Sequence, residues 1–133
     1  MELEKLFELA TEVANRSYSP YSKFRVGAAL LCGDGTVVLG TNVENRSYGL
    51  GICAERSAIV TALTQGKGDF RAIAVSTPDS DYPVSPCGAC RQVLSEFASK
   101  DFPVAFGGAD GRLVKTTMGE LFPFDALHEL AGK

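Results

Sequence analysis

VAFGGADGRLVK, Val104 to Lys115, sets two short apolar runs on either side of Gly107 to Gly111. Val104 to Phe106 reads as one strand and Arg112 to Lys115 as the next. A parallel return needs a crossover of about a dozen residues or more, so the two strands should pair antiparallel. Upstream, SPCGACRQVL (Ser85 to Leu94) opens an amphipathic helix whose apolar positions include Val93, Leu94 and Phe97. Before it lie a strand-like run, Arg71 to Thr77, and a helix through Ala54, Ala58, Ile59, Ala62 and Leu63 that closes near Gly66. Val26 to Cys32 and Val37 to Val43 form a hairpin around the Gly33-Asp34-Gly35 turn. Leu3, Leu6, Phe7, Ala10, Val13 and Ala14 recur at helical spacing, with Pro20 beyond as a stop. Downstream, Thr117-Met118-Gly119-Glu120 has capping-box spacing for a brief last helix. The expected fold is α/β: a three-layer α/β/α sandwich with a five-stranded mixed sheet, its last two strands antiparallel, in one domain over 1–133.

A chain of 133 residues with net charge -3 can bury a core of its own. Mild acidity offers no electrostatic footprint for a polyanion, so nucleic acid is not an expected partner and a small molecule is. MELEKLFELATEVANRS lacks the basic start and long apolar block of a secretory signal, and no apolar run approaches the ~18 residues of a membrane span. A cytoplasmic location is expected, without membrane association, and there the cysteines stay reduced.

Cys87-Gly88-Ala89-Cys90 alone fits a redox pair, half of a structural zinc knuckle or a catalytic metal site. Cys53, at the start of the preceding helix, separates these. Two successive helices on one sheet can bring their N-termini together, gathering Cys53, Cys87 and Cys90. Three ligands leave tetrahedral Zn²⁺ one position short, as in catalytic rather than structural sites. Cys32, at a strand end, reads as packing, and His128 as a surface residue. Helix N-termini favour thiolate. Three thiolates nonetheless over-neutralise the ion, so Arg56, and more weakly Arg91, are expected to donate to sulfur and offset the charge. Glu55 would stand beside a metal-bound water, taking its proton and later passing it to substrate.

Cys53-Ala54-Glu55 followed by Pro86-Cys87-Gly88-Ala89-Cys90 resembles the zinc-dependent nucleoside and nucleobase deaminase superfamily in its three-cysteine form. SPYSKFRVGAALL (Ser19 to Leu31) and Asn42-Val43-Glu44-Asn45 narrow the resemblance to the small homotetrameric cytidine deaminases, over almost the whole chain. It implies one Zn²⁺ per chain and hydrolysis of cytidine and deoxycytidine to uridine and deoxyuridine with release of ammonia, as in pyrimidine salvage. Zinc-bound hydroxide would attack C4 while Glu55 shuttles protons. By the same resemblance the Ala54 N–H binds the pyrimidine carbonyl, the Ser85 carbonyl accepts from the exocyclic amine, Phe24 packs on the base, and Asn42 and Glu44 hold the ribose. A carboxylate there disfavours a phosphate, which points to a free nucleoside. The antiparallel last strand pair is also that of the free-nucleoside branch.

The family separates a C-terminal Leu-Leu-Pro from an aromatic that closes a neighbouring subunit's site, whereas Leu121-Phe122-Pro123-Phe124 has no spacer. Either phenylalanine, or neither, would fill that role, and Tyr48 in the Gly49-Leu50-Gly51 region would approach a subunit contact. Three alternatives remain beside cytidine deamination. They are deamination of another aminated base or nucleoside antibiotic, a catalytically silent zinc-stabilised binding module, and a thiol-redox protein.

Overall fold

A computed structural model describes residues 1–127. In chain order its elements are α1 (Leu3–Val13), β1 (Gly27–Cys32), β2 (Val37–Thr41), α2 (Ala54–Thr64), β3 (Phe70–Ser76), α3 (Gly88–Ser95), β4 (Pro103–Gly107), β5 (Leu113–Thr117) and α4 (Met118–Leu121). Short 3₁₀ turns follow α1, at Ala14–Arg16, and precede α2, at Tyr48–Leu50. The five strands form one sheet in the order β2-β1-β3-β4-β5. Only β3 and β4 run parallel, and α3 supplies their crossover. The last pair is antiparallel, with Pro103 opposite Thr117 and Gly107 opposite Leu113, as the short Gly107 to Gly111 connection requires.

Alternation along the strands splits the core into two layers. Ala28, Leu30, Ile73 and Val104 face Ala58 and Ile59 of α2 and Leu94 of α3, with Met118 of α4 joining them. Each fully buried Leu or Ile there contributes about 1.5–3 kcal/mol of transfer free energy. Ala29, Ala72, Ala74 and Ala105 face the opposite way, against Leu6 and Ala10 of α1. These small residues let α1 lie close on the sheet. The arrangement is the expected three-layer sandwich.

The second strand stops at Thr41, short of the expected Val43. Beyond it the chain pairs by single bridges, Tyr18 with Val43 and Val43 with Ile52. Asn42 keeps one ladder bond, its N–H donating to Val26 O, but the reciprocal bond is lost: Val26 N–H turns to the Asn42 side-chain Oδ1, and Asn42 O accepts from Tyr18 N instead. Thr117 caps α4 by accepting from Glu120 N–H, and the glutamate side chain meets the threonine hydroxyl rather than completing the reciprocal bond.

α2 carries the residues of most chemical interest, and Gly40 of β2 sets its distance from the sheet. A Cβ at Gly40 would fall 2.4 Å from Ala58 N and 2.6 Å from Ala54 O. Both are helix backbone atoms, which cannot swing aside as a side chain can. Gly40→Ala should therefore destabilise the fold by about 1–3 kcal/mol, measured by urea or thermal melting. An unchanged melt would show that α2 is not seated on β2 in this way.

Candidate active site

Cys53 and Cys87 are the N-cap residues of α2 and α3, both in extended backbone conformation, and Cys90 lies in the first turn of α3. The two helices cover the same face of the sheet, and their N-termini meet there. Cys53 Sγ lies 3.7 Å from Cys87 Sγ, which lies 3.4 Å from Cys90 Sγ. All three sulfurs fall within 4.8 Å of one another. Cys32 lies apart, buried in the core, where desolvation pushes its thiol up. His128 lies outside the described residues.

Glu55, the second residue of α2, is only 4% exposed yet lines a cleft of about 420 Å³. Cys53, Cys87, Phe24, Asn42, Glu44 and Ser85 also border this cleft. Burial, with the negative charge of nearby Cys53 adding to it, pushes the Glu55 carboxyl up to about 7. A group so placed exchanges a proton near neutral pH. Ala54 opens α2, so its backbone N–H is among the helix donors without an intrahelical acceptor.

The sulfurs compete for charge. Hydrogen bonding from Cys90, reinforced by Arg56, pulls the Cys53 thiol down to about 5. The same contact with Cys53, together with burial, pushes Cys90 up. Arg56 Nη2 donates to Cys53 Sγ at 3.3 Å, which raises its own pKa, while Arg56 Nε is buried with no hydrogen-bond partner among the described residues. One guanidinium carries one positive charge, so balancing three ionised sulfurs needs another cation. Three clustered sulfur donors at helix N-termini suit zinc in chemistry and number.

Asn42 and Glu44 already serve a second purpose. Asn42 Nδ2 donates to Phe24 O at 2.8 Å, and its Oδ1 accepts from Val26 N at 2.9 Å and from the Ser17 hydroxyl. Glu44 accepts from Tyr21 N, Ser22 N and the Ser22 hydroxyl, which hold its carboxyl below the usual range. Both tie down the strap of residues 17–26 that brings Phe24 to the cleft. Composition and spacing gave no sign of a further clasp on this strap. Arg25 N, Nε and Nη2 all donate to the Asp79 carboxylate, and Nη1 donates to Asn15 Oδ1. The pair holds the Asp79 carboxyl at about 2.

Arg91 does not play the expected part. Its guanidinium donates to Pro86 O, Leu121 O and Ser85 Oγ, away from the sulfurs. The cause is helical geometry: one residue past Cys90, its side chain departs about 100° around the helix. Phe122 packs partly buried against the core beneath α4, whereas Phe124 is 90% exposed, as is Tyr48 at 87%. Thr77, just past the end of β3, and Val84, in the loop before α3, line the cleft as well, and neither belongs to a motif that would mark it.

Fold and site together define an α/β protein with a thiol-rich centre of the kind that takes zinc, beside a buried carboxylate. Residues 1–106 match the family model described as the cytidine and deoxycytidylate deaminase zinc-binding region. The chain belongs to that family. It is 46% identical over 123 residues to a cytidine deaminase of Sporosarcina psychrophila, covering 92% of this chain and 90% of the relative. The crystal structure of cytidine deaminase from Burkholderia pseudomallei superposes with a TM-score of 0.89 at 44% identity, covering 94% of this chain and 99% of that one. The chain is also 37% identical to a blasticidin-S deaminase of Bacillus cereus, over 90% of this chain and 88% of the relative.

Proposed function

We propose that this protein, as a single domain, hydrolyses the exocyclic amine of cytidine and deoxycytidine, giving uridine, deoxyuridine and ammonia, in pyrimidine salvage in the cytoplasm. The observation that carries the reading is Glu55, buried and raised towards neutrality, opening into the cleft beside three clustered sulfurs. Cys53, Cys87 and Cys90 would hold one zinc ion, which supplies the Lewis acidity that makes water nucleophilic near neutral pH. Arg56 would draw charge from Cys53 and keep that acidity from being quenched.

The chain's own groups do the rest. The Ala54 N–H donates to the pyrimidine carbonyl, the Ser85 carbonyl accepts from the amine, and Phe24 packs on the base. Glu55 takes a proton from the attacking water and delivers it to N3. A second proton, passed through the same carboxylate to the amine, lets ammonia leave as the C4 carbonyl forms. Glu44 has lone pairs to spare after its strap contacts, and Asn42 has one N–H, so the pair can still hold a sugar hydroxyl. A carboxylate at that place repels phosphate. Tyr48 and Leu50, exposed beside the cleft, support a homotetramer in which another copy covers its mouth.

Ammonia release measured on cytidine, deoxycytidine, cytosine, CMP and adenosine, beside metal analysis, tests this reading. The two nucleosides of cytosine should be deaminated, CMP and adenosine should not, and about one zinc per chain should be found. Ammonia from none of them would reject it. Similarity to a blasticidin-S deaminase favours a second reading, the deamination of a nucleoside antibiotic. Blasticidin S therefore belongs in the panel, and its turnover in preference to cytidine would replace the first reading with the second.

A further inference from the structure

We propose that Arg91 is a positioning residue that fixes the Ser85 carbonyl in its amine-reading direction, and so sets the preference for cytosine over uracil. The inference rests on the cytidine reading above. Arg91 Nε donates to Pro86 O at 2.8 Å and Nη2 donates to Ser85 Oγ at 2.9 Å. These two acceptors lie on either side of the Ser85 to Pro86 peptide. That peptide has no N–H of its own, because its nitrogen belongs to proline. Among the described residues, the hydrogen bonds holding Pro83 to Pro86 are those two from Arg91. The third donor, Nη1, reaches Leu121 O at 2.6 Å and anchors the guanidinium to α4. A planar fork held at three points leaves the peptide between its acceptors little freedom to turn.

The consequence is selective. The cytosine amine donates to the Ser85 carbonyl, whereas the uracil O4 is an acceptor facing an acceptor. Releasing the peptide removes an attraction for cytidine and a repulsion for uridine. A residue that merely stabilised the fold would weaken both ligands together.

The test measures kcat and KM for cytidine, the inhibition constant of uridine, and zinc content in the parent, Arg91→Gln, Arg91→Lys and Ser85→Ala. In Arg91→Gln, kcat/KM for cytidine should fall about 100-fold, as for a misplaced reacting group. Uridine should bind as in the parent or more tightly, with zinc retained. Arg91→Lys, which lacks the fork, should recover only part of the loss. Ser85→Ala removes one hydrogen bond and should lose about tenfold, so it carries the test if Arg91→Gln does not fold. Parent-like efficiency in Arg91→Gln or, should that variant not fold, in Ser85→Ala overturns the proposal, as does an equal loss of cytidine and uridine binding. A parent inert towards cytidine overturns the functional reading itself, whereas an active parent with unaffected variants overturns only the role of Arg91.

Discussion

Glu55→Gln should lower kcat on cytidine by about 10²–10⁴-fold, with zinc content unchanged. The substitution keeps the shape of the side chain and its ability to donate and accept a hydrogen bond, and removes only its ability to give and take a proton. Glu55 is not one of the three clustered donors, so metal retention separates a lost proton shuttle from a damaged centre. Stability provides a second readout, in metal-free protein. The folded carboxyl sits at about 7 against an ordinary 4.5, so folding opposes its ionisation. Above about pH 4.5 the unfolded chain sheds this proton while the folded chain keeps it, and the penalty on the native state grows until about pH 7, then levels off. Gln carries no such penalty. The metal-free variant should therefore melt at a higher temperature than metal-free parent at pH 8, and the gap should close towards pH 4. Parent-like turnover in Glu55→Gln would remove the carboxylate from the chemistry, and a gap that stayed constant with pH would contradict the buried, neutralised acid.

The legibility of the fold follows from where its information is local. The Gly107 to Gly111 connection is too short for more than one strand geometry, so the antiparallel last pair could be read directly. The cysteines were legible for a similar reason: an N-cap is a local feature, and two N-caps on successive helices over one face have few ways to avoid each other. The end of β2 was harder to read, because Val43 looks like strand in isolation. The ladder ends before it because Val26 N–H is diverted to the Asn42 side chain and Asn42 O is taken by Tyr18 N, partners far back in the chain. The direction of Arg91 is not legible in sequence, because its neighbour Cys90 is near in the chain while the helix turns the Arg91 side chain towards Pro86 and Leu121. The Arg25 to Asp79 clasp joins two loops that neither periodicity nor motif connects, and only the assembled fold brings them together.

Removal of zinc should abolish turnover and lower the melting temperature, and added zinc should restore both. The structural reason is that the three sulfurs come from two helices, so an ion held by them would join α2 to α3 at their N-termini as well as serve the reaction. Without zinc, Arg56 pairs with the Cys53 sulfur, Cys90 is held as a thiol, and the cross-link is lost. By linkage, free zinc at 100 times its dissociation constant stabilises the fold by about 2.7 kcal/mol. The exposed Cys87 offers the cleaner variant, because Cys87→Ala removes a donor at an N-cap that makes no side-chain capping bond and creates no cavity in the core. Its melting temperature should resemble that of zinc-free parent, and added zinc should move it little. Restoration of activity by zinc in the parent but not in Cys87→Ala ties the chemistry to this sulfur cluster. Full turnover in zinc-stripped parent, or normal zinc response in Cys87→Ala, would instead place the metal elsewhere and leave the convergence of the three cysteines a matter of packing alone.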